Sequence, residues 1–241
     1  MLLSIDLGSY SPIVLPGILS LVLAYLLGSI NFSIILTRIL THDDIRTHGS
    51  GNAGMTNVLR TIGKWPAVFT FILDFAKCAA AVVIARAILS PVVESHGLSP
   101  DVANVAGYFA GYACILGHMF PIYFGFRGGK GVVTSIAMIF FIDWRCGLVV
   151  LGTFLITLAV KKIISLGSIF GAISYPISTF VFTFFFDCSM SPLASHGDEG
   201  ALYLTAVTVL SLLIAGTVIG KHHANIGRLL NGTEQPIHAK K

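Results

Sequence analysis

Long apolar runs separated by short polar segments organise the chain. Seven can be drawn: Ile13–Ile35, Ala67–Leu89, Val102–Phe120, Val132–Ile142, Gly147–Val160, Leu166–Phe186 and Ala201–Gly220. Crossing a hydrocarbon core takes about 20 helical residues, so most of these runs read directly as membrane-spanning helices. The fourth and fifth fall short. They either gain length from neighbouring Thr, Gly and Trp residues or together form one broken, partly re-entrant element. The pattern therefore predicts an all-α polytopic membrane protein with seven transmembrane helices, five being the alternative count. Residues 1–241 are read as a single integral membrane domain. No basic n-region or small-residue cleavage site marks the N-terminus, so the first run is expected to remain in the mature protein.

Composition sharpens this reading. The chain is 55% hydrophobic and only 11% charged, against about 25% charged for an ordinary soluble domain. A nucleic-acid binder, a disordered chain and a disulfide scaffold are all disfavoured. Cys78, Cys114, Cys146 and Cys188 are widely spaced, with no C-x-x-C pair to suggest a metal or redox site. Charge placement sets the orientation. With the segments after runs one, three, five and seven on the cytoplasmic side, twelve of the fifteen Lys and Arg lie there. Arg86 and Arg145 fall on the other side, and Lys77 lies within run two. The positive-inside rule then gives an N-out, C-in topology.

Three of the cytoplasmic segments are rich in Gly, Asn and basic residues. They are His48–Arg60, Gly117–Gly131 and the tail Lys221–Glu234. Glycines let backbone N–H groups turn toward an anion, Arg offers a bidentate fork, Lys a point charge, and Ser, Thr and Asn neutral donors. Convergence of all three on one membrane face points to phosphate binding. Gly49–Gly54 satisfies G-x-G-x-x-G, but no strand precedes it and no βαβ unit surrounds it. The run ending in Gly129-Lys130 lacks both the first Walker glycine and the magnesium-binding hydroxyl. His96 and Asp101 form an H-x4-D pattern, but on the outer side, away from the basic loops. Asp74 and Lys77, three apart on one helix, can pair on one face; fixing helix packing and orienting the site are both open roles. Gly107/Gly111 and Gly167/Gly171 have the small-residue spacing of close helix contacts, expected here within the monomer.

The text of these loops resembles the three motifs of the bacterial acyl-phosphate-dependent glycerol-3-phosphate acyltransferases, the PlsY family. The matching stretches are GSGNAGMTNVLR at Gly49–Arg60, GHMFPIYFGFRGGKGV at Gly117–Val132 and HHANIGRLLNGTE at His222–Glu234, with LDFAK at Leu73–Lys77. The resemblance implies transfer of an acyl group from acyl phosphate to the sn-1 hydroxyl of glycerol 3-phosphate. Lysophosphatidate and phosphate would form on the cytoplasmic face of the bacterial inner membrane. Acyl phosphate, glycerol 3-phosphate, membrane lipids and the acyl-phosphate-producing enzyme are the implied partners, with no cofactor, metal or nucleic acid. Ser50, Arg60, Lys130, His222 and Asn225 match positions tied to glycerol 3-phosphate and catalysis. Asn52, Thr56 and Ser165 match positions near the acyl phosphate, and Gly51, Asn57, Gly128 and Gly129 complete the expected substrate-binding set. Ala224 departs from the Glu common there, which casts doubt on a tail carboxylate in the chemistry. A substrate phosphate is then the expected proton acceptor, with His222 positioning the substrate and stabilising charge. A transporter of phosphorylated metabolites is the alternative class, since it too needs basic residues beside short, broken spans.

Overall fold

The structure, a computed structural model, describes residue 8, residues 10–188 and residues 198–237. Lys240 and Lys241, counted above among the cytoplasmic charges, lie outside the described residues. Among those residues there are ten α-helices and no strand: α1 Ser11–Ser29, α2 Phe32–Thr41, α3 Met55–Thr61, α4 Lys64–Ser95, α5 Asp101–Met119, α6 Val132–Ile142, α7 Trp144–Lys161, α8 Ile164–Phe182, α9 Asp198–Lys221 and α10 His223–Leu230.

Each apolar run becomes a helix, but the first is broken. The chain leaves α1 at Ile30, and Asn31 starts α2 by accepting hydrogen bonds from Ile34 N at 3.3 Å and Ser33 Oγ at 2.6 Å. This side-chain cap gives the backbone a local alternative to continuing the helix.

The seven expected spans differ in length. Six helical segments among the described residues are long and apolar enough to cross a membrane. The run read as a fourth span, α6, has 11 residues and a length of about 17 Å, roughly half a hydrocarbon core. Gly131 in the left-handed region starts it, and Asp143 ends it while capping α7 through Arg145 N at 2.9 Å. So α6 and α7 form a tight antiparallel pair in which only α7 has spanning length. The fifth run recovers that length from Trp144, Arg145 and Cys146 at its start and Lys161 at its end.

Helices approach closely where side chains vanish. A Cβ on Gly28 would lie 2.1 Å from Cys114 O, and one on Gly117 would lie 2.3 Å from Tyr25 O, so α1 and α5 meet backbone to backbone. Gly111 packs against Met138 of α6 and Gly167 against Phe154 of α7, both within the chain. Outward-facing Leu15, Ile156 and Val160 are 66%, 68% and 70% exposed, and only lipid is a suitable solvent for such a girdle.

The three motif segments gather at one end of the bundle. The Arg145–Asp143–Asp187 ion pairs and the Arg86–Asn104 hydrogen bond lie toward the other. Replacing the exposed Ser95, at the far end of α4, with Cys is expected to make it react with an impermeant thiol reagent added outside intact cells. Reaction only from the cytoplasmic side would reverse the expected orientation.

Candidate active site

The first motif loop is built around a buried asparagine. Asn57 donates to the carbonyls of Ile45, His48 and Asn52 at 3.1, 2.9 and 3.1 Å and accepts from Ser50 N at 3.0 Å. Gly51 supplies a left-handed turn (φ 69°) and donates its N–H to His48 O. Arg46 fastens this loop to the second through the carbonyls of Phe124 and Arg127 at 2.7 and 3.1 Å.

In the second loop, Gly128 N and Gly129 N donate to Met119 O and His118 O at the end of α5, at 3.2 and 3.1 Å. A Cβ on Gly128 would sit 2.0 Å from His118 O. The glycines therefore let the strand of chain carrying Lys130 lie flat on α5. Gly51, Asn57, Gly128 and Gly129, expected to bind substrate, have internal partners, although Asn57 also borders the cavity described below. Their hydrogen-bonding groups are spent on the loops themselves, so the anion nest inferred from glycine content is not formed by these N–H groups.

The tail closes the site. On α10, Asn225 and Arg228 stand three residues apart on one face, and the chain then turns back at Gly232 to bring in Glu234. Glu234, its side chain 6% exposed, accepts from Ser165 Oγ, Asn225 Nδ2 and Arg228 Nε, each at 2.6 Å. Asn225 Oδ1 accepts from Lys130 Nζ. A cation on one side and a carboxylate on the other thus fix which way the Asn225 amide points. Arg60 donates to Gln235 O at 3.3 Å, and Ile237 N to Lys162 O at 2.7 Å, stitching the tail across the end of the bundle.

These groups surround the polar mouth of a cavity of about 470 Å³. Ser50, Asn52, Thr56, Arg60, Lys130, Ser165, His222 and Asn225 all border it, so the principal residues expected from the sequence are brought together. Its inner part runs between α6, α7, α8 and α9 past Phe154, Gly171, Ala215 and Ile214 to Tyr175. From Ser165 to Tyr175 along α8 is about 15 Å, one leaflet of a bilayer.

The electrostatics favour an anion. At the mouth three cations, Arg60, Lys130 and Arg228, face the carboxylate of Glu234; the second carboxylate bordering the cavity, Asp74, is paired with Lys77. Burial lowers Lys130 to about 8; Glu234 opposes that shift, while Arg228 and Arg60 add to it. Burial also lowers His222 to about 4, against the raising effect of its hydrogen bond to Val218 O at 2.7 Å. The imidazole is neutral at pH 7, with Nδ1–H donated to that carbonyl and Nε2 left as an acceptor. Charge stabilisation, expected of His222 from sequence, does not fit this state. Burial acts to raise Glu234, but the hydrogen bonds from Ser165, Asn225 and Arg228 outweigh it and leave the carboxyl below its usual range.

Sequence reasoning missed Glu234 and Arg228. The i, i+3 spacing of Asn225 and Arg228 on a short amphipathic helix was a usable signal for Arg228. Glu234 comes in through a turn that only the folded tail reveals. His223, adjacent to His222, is exposed and bonds to Gly220 O instead. His96 and Asp101 lie at the end of α4 and the start of α5, away from the cavity.

A cationic mouth opening into an apolar cavity at the level of the lipid chains defines a membrane-embedded protein acting on an amphipathic, anionic substrate. The comparisons make this particular. The sequence model of the glycerol-3-phosphate acyltransferases matches residues 18–232, and the chain belongs to that family of phospholipid-synthesis enzymes. It is 38% identical over 221 residues to the glycerol-3-phosphate acyltransferase of Prochlorococcus marinus (strain MIT 9215), covering 92% of this chain and 98% of that one. Against the enzyme of Coxiella burnetii (strain RSA 493 / Nine Mile phase I) identity is 36%, covering 91% and 97%. The crystal structure of PlsY, an integral membrane glycerol 3-phosphate acyltransferase, in its glycerol 3-phosphate form superposes with a TM-score of 0.74 at 32% identity, covering 92% of this chain and 96% of that one. Its lysophosphatidic acid form gives 0.71 with the same coverage. The transporter alternative gives way to an acyltransferase.

Proposed function

We propose that this chain binds glycerol 3-phosphate and transfers to its sn-1 hydroxyl the acyl group of an acyl phosphate, on the cytoplasmic face of a bacterial inner membrane. The observation that carries the reading is a mouth of three cations around Glu234 that opens into a largely apolar cavity. The cations suit two phosphate groups, and the cavity suits an acyl chain. Solved PlsY structures in glycerol 3-phosphate and lysophosphatidic acid forms lend support, since those are the acceptor and product of such a reaction. Ten of the thirteen Lys and Arg among the described residues fall on the motif-bearing side, which supports the cytoplasmic assignment. A soluble enzyme that makes the acyl phosphate would deliver it to that face.

An acyl phosphate is a mixed anhydride, so no covalent enzyme intermediate is needed. The glycerol hydroxyl oxygen attacks the acyl carbonyl carbon. The carbonyl electrons move onto oxygen, where Lys130 and Arg60 offset the developing charge. The bond from the acyl carbon to the phosphate oxygen then breaks, and phosphate leaves with the electron pair. The hydroxyl proton passes to a phosphate oxygen. His222, a neutral imidazole at the mouth, helps to position the glycerol moiety, while Glu234 holds Ser165, Asn225 and Arg228 in place. Holding both substrates in register supplies most of the rate.

An imidazole lowered to about 4 is a weaker base than a phosphate dianion, which titrates near 6. The acidic limb of the kcat–pH profile is therefore expected to persist in His222→Gln at reduced amplitude, with glycerol 3-phosphate saturating. Disappearance of that limb in the variant would make His222 the base. The reading as a whole is tested by giving purified protein labelled acyl phosphate and glycerol 3-phosphate in detergent. Label is expected in 1-acyl lysophosphatidate. Transfer from acyl thioesters alone would overturn the donor, and 2-acyl product the regiochemistry.

A further inference from the structure

At the α4–α5 side of the cavity, and outside the steps just described, three ionisable side chains meet, two of which, Asp74 and His118, border the cavity. Lys77 is 6% exposed, Asp74 1% and His118 4%. Nζ of Lys77 lies 2.7 Å from Ile30 O, 2.8 Å from Asp74 Oδ1 and 3.1 Å from His118 Nδ1. The ammonium hydrogen-bonds to Ile30 O and faces His118 Nδ1, and it pairs by charge with Asp74 Oδ1, which also lies 3.6 Å from His118 Nδ1. The partners come from the break between α1 and α2, from the preceding turn of α4 itself, and from the end of α5.

The contacts continue toward the motif loops. With Nδ1 of His118 facing the ammonium, the ring proton sits on Nε2, the atom against which Gly129 packs. A Cβ on Gly129 would lie 2.1 Å from that nitrogen and 2.6 Å from Ala53 O of the first loop. His118 O also receives Gly129 N. From the other branch, Asn31, next to Ile30, reaches Ala53 O at 3.5 Å. So one buried ammonium ties the helix break, which holds loop one, to the imidazole, which seats the residue before Lys130.

We propose that the Asp74–Lys77–His118 cluster positions Lys130 relative to the first motif loop, so that these three are positioning residues of the acyltransferase reaction. A buried ion pair kept only for stability is replaceable by apolar groups of similar volume, often at no cost. A positioning cluster is not, because the bonds to Ile30 and His118 vanish with the ammonium. The proposal rests on the reading above, in which Lys130 is one of the cations that bind the substrate phosphates and offset the charge of the transition state.

The experiment is steady-state kinetics of purified Asp74→Leu/Lys77→Met, with thermal unfolding measured in the same detergent. Expected are a melting temperature close to wild type and a fall in kcat/KM on the order of 100-fold, the scale of a 1 Å misplacement. KM for glycerol 3-phosphate should rise. Partial inactivation of the preparation would lower Vmax and leave that KM unchanged. Should the double variant not survive purification, Lys77→Arg replaces it. A planar fork keeps the charge but cannot reproduce three diverging contacts, so the same KM rise is expected. Wild-type KM and kcat in the folded variant would overturn the proposal. Lys130→Ala, assayed in parallel, separates the two levels. If it too has wild-type KM, the reading of the site fails; if it alone is impaired, only the positioning role fails.

Discussion

Lys130→Ala is expected to lower kcat/KM for glycerol 3-phosphate by about 2–4 kcal/mol in transition-state terms, comparable to removing an oxyanion-hole donor. The ammonium is held by Asn225 at the cavity mouth, while the neighbouring cations are engaged elsewhere, Arg228 with Glu234 and Arg60 with Gln235 O. Arg60→Ala should fall in the same range, and Arg60→Lys should also be impaired, since one ammonium does not replace a fork. The lowered Lys130 value adds a pH signature. In the free enzyme the ammonium deprotonates around pH 8, so KM for glycerol 3-phosphate should climb above that pH as the neutral form accumulates. Bound phosphate favours the charged form, and the rise should shift upward at saturating substrate. Unchanged turnover and KM in well-folded Lys130→Ala protein would remove it from the site.

Glu234→Gln is expected to cost activity on a similar scale, through arrangement rather than direct attack on substrate. The carboxylate accepts at both oxygens, from Ser165 and Asn225 on one and Arg228 on the other. A glutamine must turn its NH2 group toward one of those donors. One hydrogen bond is lost and a nearly buried donor is left unpaired, at about 1–3 kcal/mol. Asn225 is then free to rotate, and Lys130 loses its fixed partner. The same carboxylate links stability to pH. Its folded value lies below the ordinary 4.5, so its contribution is complete above that value and is lost as acid titrates the folded form. Wild type should therefore show a steeper loss of thermal stability below pH 4.5 than Glu234→Gln. Parallel acid profiles for the two proteins would contradict that linkage.

What the sequence determined by itself follows from short-range physics. Apolar runs must become helices in lipid because each helix satisfies its own backbone groups, and this made the helical membrane class legible from pattern alone. The basic residues revealed which ends belong together, and the text of the loops carried Ser50, Arg60, Lys130, His222 and Asn225. Lengths near the threshold were less legible. Val132–Ile142 is as apolar as its neighbours, yet Gly131 and Asp143 stop it at half a bilayer, and stop signals of one residue are weak in a sequence.

Tertiary structure decided how polar groups are spent. Gly128, Gly129 and Asn57 looked like ligand donors because their chemistry allows it. In the fold, their donors are consumed by Met119, His118 and the carbonyls of loop one. Ala224 cast doubt on a tail carboxylate, yet the turn at Gly232 makes Glu234 the acceptor for three side chains. The Asp74–Lys77 pair could be drawn from an i, i+3 spacing, but His118 lies 41 residues from Lys77 and Ile30 lies 47 away. A sequence shows which groups can donate and accept. Which of them remain available for a substrate depends on neighbours brought in from far along the chain, and only the folded bundle supplies those.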